Sequence, residues 1–314
     1  MVETVEQSKT YAEIQSWSVF DPSIPIERTV EATGLKIHID MDPQELPSQI
    51  QEDINRNWNR TIEKNPGMYE SYVPFLISMS GEEEKTIQAQ ARPFSVISAY
   101  HRNTRFYDRE QEVQDHSLMH LSSLVHLVTR DNYLLFGTKS NQANQISGFG
   151  GFPNIEKESE DSEGDMYLNI QTSLEKKLSH EIGKELVKTI AHIDAVGMTY
   201  TNTLGLRGVD LDYLAELDIP ADDAAQLFQE SAQFKKSLYK VPFNPLSIQK
   251  FITDVYHIPG NDGNERNMSR YALGALYHAV HAHYGKDEAE NVRDTITKDM
   301  HITFAQEDET GYLK

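Results

Sequence analysis

Between residues 121 and 217 the hydrophobic period of the chain changes twice, from strand-like to helical and back, which restricts this stretch to an α/β arrangement. Residues 121–130 and 133–139 are two β-prone runs set around Asp131-Asn132, a pair suited to a two-residue hairpin turn. Residues 172–187 then carry Leu174, Leu178, Ile182 and Leu186 as one helical stripe. Strand character returns over residues 191–200 and 209–217. In the second of these, Val209, Leu211, Tyr213, Ala215 and Leu217 share one face. Asp210, Asp212 and Glu216 share the other, because successive side chains alternate across a strand.

The flanking sequence divides into two further blocks. Residues 1–112 offer short strands at 16–20, 36–41, 72–78 and 85–91, with one helix predicted over 46–64. Ile50, Ile54, Trp58 and Ile62 form its single apolar stripe, and Asn65-Pro66-Gly67 ends it, since proline cannot continue the helical ladder. Trp58 lies in that stripe and reads as a core anchor. Residues 221–314 read as helical, with helices at 221–239, 245–256, 268–284 and 287–298, the third stopped by Gly285. The expected organisation is an N-terminal α+β domain over 1–112, an α/β/α sandwich with a mixed sheet over 113–220, and C-terminal helices packed on that core. At about 150 residues per domain, 314 residues allow this.

Charge and cysteine content remove several functional classes. Lys and Arg number 29 against 49 Asp and Glu, a net charge of −20, so the chain lacks the basic surface that nucleic acid requires and is ill suited to an anionic membrane. The absence of cysteine excludes disulfides, thiolate metal sites and cysteine nucleophiles. The first fifteen residues show neither a basic start nor an apolar run, and no stretch approaches the ~20 apolar residues of a membrane span, so the expected location is the cytoplasm.

The residues with chemical content follow the hairpin. Ser147-Gly148-Phe149-Gly150-Gly151-Phe152-Pro153 is glycine-rich, and residues 156–165 carry six acids against one lysine, which reads as a solvated loop. The helix after it ends in His180-Glu181-Ile182-Gly183. His116 and His120 lie four apart but lack a third nearby ligand, and His278 and His281 read as surface or interface histidines. Gly148, Gly150 and Gly151 lack the strand and helix of a dinucleotide loop, and neither a G-x-S-x-G elbow nor a Walker A lysine is present.

This order of hairpin, glycines, acidic loop and helix resembles the Nudix superfamily, whose box reads G-x5-E-x7-R-E-U-x-E-E-x-G-U, with U a bulky apolar residue. Gly150 and Glu156 stand at the first spacing, and residues 176–183 lie where R-E-U-x-E-E-x-G belongs. The spacer from Glu156 to Lys176 holds nineteen residues instead of seven, and Lys177 and His180 replace two of the three box carboxylates. The strand TRDNYLLFGTKS resembles the one that leads into the box. A tryptophan-bearing helix, an Asn-Pro turn and a strand across residues 54–78 are similar to a branch that cleaves UDP-sugars.

The resemblance implies a Mg²⁺- or Mn²⁺-dependent hydrolase cutting a pyrophosphate bond in a nucleoside diphosphate linked to another moiety, with a nucleotide sugar favoured. In that reading Glu181 is the principal metal ligand, Glu185 or Glu156 assists, and Lys139, Lys177, Gly150 and Gly151 receive the phosphates. Glu216 or Asp212 serves as base. The expected partner is a small nucleotide-type substrate, with a homodimer as an allowed assembly. Lys177 and His180 favour a second reading, a Nudix-fold module that binds a nucleotide-like ligand without hydrolysing it. A third is an interaction protein.

Overall fold

The computed structural model describes residues 13–17, 30–31, 35–80, 86–102, 119–139, 142–162, 164–203, 206–228, 235–255, 267–268, 270–300 and 303–304. In chain order the first part comprises β1 (Glu13–Trp17), β2 (Val30–Glu31), β3 (Lys36–Asp40), α1 (Ser48–Lys64), β4 (Tyr72–Ser80), β5 (Thr86–Pro93) and α2 (Phe94–Arg102). The middle comprises β6 (Met119–Thr129), β7 (Tyr133–Lys139), β8 (Gln142–Ser147), β9 (Phe149–Gly151), α3 (Ile155–Glu158), β10 (Ser159–Ser162) and β11 (Asp165–Leu168). It continues through α4 (Ile170–Ile182), α5 (Lys184–Val187), β12 (Ile190–Thr203) and β13 (Leu206–Leu217). The last part comprises α6 (Ala221–Leu227), β14 (Lys235–Pro242), α7 (Pro245–Val255), β15 (Asn267–Met268), α8 (Arg270–Tyr284), α9 (Lys286–Met300) and β16 (Thr303–Phe304).

One large mixed sheet organises these elements, in the order β10-β11-β3-β5-β4-β6-β13-β12-β1-β16. The α/β architecture with a mixed sheet is therefore as the hydrophobic pattern predicts, and the sheet draws strands from all three sequence blocks. β6 is its hub. One edge pairs in parallel with β13, and the other meets β4, β9 and β7 in turn, each antiparallel. Buried almost throughout, β6 shows the near-continuous burial of a strand covered on both faces.

Two apolar layers lie on either side of this hub. Leu121, Val125 and Leu127 of β6 and the odd-numbered residues 209–217 of β13 pack with Leu174, Leu178, Ile182 and Leu186. Burial of each such side chain is worth roughly 1.5–3 kcal/mol. Leu124, Val128 and Leu214 face the opposite way and pack with Ile248, Ile252, Leu273, Leu276, Val280 and Val292 from the C-terminal helices. A third cluster holds Ile50 and Ile54 of α1 against Val73 and Phe75 of β4, with Trp58 buried beside it and edge-on to Phe94.

Several boundaries differ from the sequence expectation. The 172–187 helix is interrupted at Gly183 (φ 91°), which separates α4 from α5. The acidic run forms α3 and a β10–β11 hairpin, and β11 adds to the sheet beside β3. The predicted helix over 221–239 is short α6 followed by strand β14, whose Tyr239 and Val241 pair with Phe136 and Leu134. The β6–β7 turn uses three residues instead of two. Arg130 joins Asp131 and Asn132, and Asn132 takes a left-handed φ of 64° that asparagine tolerates. Among the described residues no helix is long and apolar enough to cross a membrane.

Candidate functional site

The two ends of the box-like segment meet at β9. Gly150 and Gly151 pair with Leu124 and Ser123 of β6, and the Ser123 hydroxyl donates to the Gly151 carbonyl at 3.2 Å. Gly150 has a φ of 142°, and a Cβ there would stand 2.2 Å from the Ser123 carbonyl oxygen, so only glycine fits. Helix α4 starts where the Asn169 side chain accepts the Thr172 amide at 2.9 Å, and it ends at Gly183. In its last turn Glu181 adjoins the buried Leu178–Ile182 stripe. Its Oε2 accepts the Gly150 amide at 2.7 Å, and the residue is only 4% exposed.

The other predicted residues do not join Glu181. Glu185 lies beyond the Gly183 break, exposed, and accepts from Lys188 at 2.6 Å. Glu156 is exposed on the first turn of α3. Asp212 and Glu216 were expected to reach the same cleft as the base, and the sheet rules that out. Their strand turns its odd-numbered residues toward α4, so these two point to the opposite side. Asp212 is fully buried against α8, 3.8 Å from His278, and half-exposed Glu216 lies 3.8 Å from His192. Lys177 is half-buried one helical turn before Glu181 and on the same side of α4. Lys139 ends β7, where it pairs with Gln142 and Lys235; its side chain lies outside the described residues, as does His116.

A resident Mg²⁺ or Mn²⁺ is held by at least one or two accessible carboxylates, with waters and substrate phosphate completing its shell. The residues present do not fit one. The single box carboxylate left is turned onto a backbone amide, and its proposed helpers are exposed elsewhere. Among the described residues, no group of three or more His, Asp or Glu side chains is placed to share a cation.

A cavity of about 670 Å³ opens near the start of α4, lined by Lys36, Glu160, Asp161, Asp165, Tyr167 and Gln171 among others, and includes none of the predicted site residues. Two buried polar clusters have surroundings that the sequence does not disclose, and one of them holds His278, which is buried in the core and not a surface or interface histidine. Glu158 accepts the Asn154 amide at 2.9 Å and the Ser173 hydroxyl at 2.6 Å, tying α3 to α4. The i,i+3 spacing of Ile155 and Glu158 was its available signal, hidden in the acidic run. The second is the Thr199–Asp212–His278 cluster, with Thr199 donating to Asp212 at 2.6 Å. Burial raises the Asp212 carboxyl well above its ordinary range and pulls the His278 imidazole down to about 3.

No family model matches the chain, and no curated protein does. Among solved structures the chain is similar to a hydrolase of the NUDIX family from Clostridium perfringens, at 8% identity and a TM-score of 0.31. The alignment covers 54% of this chain and 95% of that one.

Proposed function

We propose that the chain is a Nudix-like module that binds a phosphate-bearing, nucleotide-type ligand through Lys177, without hydrolysing it. The observation that carries this reading is the Glu181–Gly150 hydrogen bond. In the box logic this carboxylate faces a cation; here it is buried and braces the strand. Lys177 puts an ammonium one turn away, where the box has a second carboxylate. An ammonium offsets phosphate charge directly, a role a cation fills in a hydrolase. A local cation is all the more necessary on a chain of net charge −20.

The test is a panel of UDP-sugars, ADP-ribose and nucleoside triphosphates, read by turnover and by thermal shift, in Mg²⁺, Mn²⁺ and EDTA. The expected result is no turnover, with a ligand-induced rise in Tm that EDTA leaves unchanged and Lys177→Glu removes. Metal-dependent hydrolysis abolished in a folded Glu181→Gln variant would overturn this in favour of the hydrolase. No shift with any member of the panel would overturn it in favour of an interaction protein.

A further inference from the structure

The sheet face opposite α4 holds a buried polar cluster beneath the C-terminal helices. His278 of α8 lies over Gly197 of β12, so close that a Cβ at Gly197 would sit 2.2 Å from Nδ1. Nearby, a Cβ on Gly274 would sit 2.3 Å from the Thr199 hydroxyl oxygen. Two glycines thus let α8 press its backbone and imidazole directly onto β12. The His278 Nε2–H donates to the Met198 carbonyl at 3.0 Å, which leaves Nδ1 as the bare nitrogen. Among the described residues Nδ1 has no hydrogen-bond partner. Asp212 Oδ2 accepts from Thr199, and Oδ1 likewise has no partner. Both residues are at most 1% exposed.

This geometry penalises charge on either group. A proton added to Nδ1 would face the Gly197 backbone with no acceptor. An ionised Asp212 would hold a buried charge against a single hydroxyl donor. We propose that Asp212 and His278 form a proton latch for the C-terminal helices: with α8 docked the pair holds one proton, and the carboxyl carries it while the imidazole stays neutral. The exchange balances, because docking moves the proton from imidazole nitrogen to carboxyl oxygen and breaks no other bond.

The consequence is a stability plateau. In the unfolded chain the carboxyl titrates near 3.8 and the imidazole near 6.5, so between those values the unfolded pair also holds one proton. Folding then takes up and releases none from this pair. Above 6.5 the unfolded pair holds none and the folded pair one, so stability falls tenfold in equilibrium constant per pH unit. Below 3.8 the unfolded pair holds two, and stability falls as pH drops, until His278 charges at about 3. Other titratable groups face the pair from neighbouring elements. Asp210 on β13 opposes ionisation of Asp212, and His281 on α8 opposes protonation of His278. His120 and His126 are buried on the same face of β6, and Lys286 and Glu290 of α9 act on His281. The described parts of β12 bring Thr199 to the pair, and those of β8 bring no titratable side chain.

The experiment is urea unfolding of the full chain from pH 3 to 9 for the native sequence, Asp212→Asn and His278→Gln. The unfolding constant of the native chain relative to Asp212→Asn is expected to rise tenfold per pH unit above about 4, until Asp212 ionises. Relative to His278→Gln it is expected to rise tenfold per unit as pH falls below about 6.5. Ratios that do not change with pH would mean a merely structural pair and would overturn the latch. If a variant does not fold, the carboxyl carbon chemical shift of Asp212 in the native chain at pH 7 decides. A protonated shift supports the latch, and an ionised one sinks it.

Discussion

The side chain of Glu181 accepts the backbone amide of Gly150 at 2.7 Å, joining the last turn of α4 to a strand thirty-one positions earlier. The bond closes the segment between residues 150 and 181 at its two ends. A bond from a backbone amide to a carboxylate is worth about 1.5–3 kcal/mol, and this one is part-buried.

Replacing Glu181 therefore tests a brace against a metal ligand. Glu181→Ala should lower unfolding stability by about 1.5–3 kcal/mol, since it leaves the part-buried Gly150 amide without its acceptor. Glu181→Gln keeps an oxygen for that amide and should lose less. Urea midpoints compared in Mg²⁺ and in EDTA give the answer. Equal losses under both conditions fit the brace, and a loss confined to Mg²⁺ contradicts it.

Gly150 and Gly151 are adjacent but should respond in opposite ways. Gly150→Ala would drive a methyl to 2.2 Å from the Ser123 carbonyl at a φ few residues adopt, at a cost of roughly 1–3 kcal/mol or more. Gly151 has no heavy atom within 4 Å of such a methyl, so Gly151→Ala should change stability little. Thermal melts of the two variants side by side separate steric demand from a general need for glycine.

How far the sequence foretells these features depends on whether a local pattern decides them. Helix α1 and strand β13 follow their periodicities closely, because one apolar face of each meets the core. Residues 221–239 read as one helix, whereas β14 exists through its pairing with distant β7, which no local pattern announces. The acidic face of β13 was readable as a face, but its surroundings were not. Asp212 is buried because α8, whose His278 lies sixty-six positions later, closes over it. Gly150, Glu181 and Gly183 are legible in the sequence as a motif-like spacing. That Glu181 spends its carboxylate on Gly150 depends on β9 lying in the gap between β4 and β7, which only the assembled sheet specifies.

The β6–β7 turn carries a pH dependence of its own. The Thr129 hydroxyl donates to Asp131 at 2.6 Å and the Ala221 amide at 2.8 Å, and these bonds hold the Asp131 carboxyl below its ordinary 3.8. A depressed carboxyl stabilises the fold above 3.8 and loses that contribution as pH falls through the folded value. Thr129→Val removes the largest cause, so the Asp131 midpoint should move up toward 3.8. Carboxyl carbon shifts followed between pH 2 and 6 check this, and an unmoved midpoint would assign the depression elsewhere.

Divalent cations offer the most direct challenge to the Glu181 brace. If the Oε2 atom is committed to the Gly150 amide, a cation must break that bond and draw a buried carboxylate outward to gain a ligand. Glu156 and Glu185 would then have to leave their exposed positions, the latter parting from Lys188. Each step costs free energy that binding through one buried carboxylate must offset. Millimolar Mn²⁺ should therefore leave the Tm of the native chain and of Glu181→Gln equally unchanged. A rise in Tm that follows RT ln(1 + [L]/Kd) in the native chain and vanishes in Glu181→Gln would show that the bond opens, and that the carboxylate faces a cation after all.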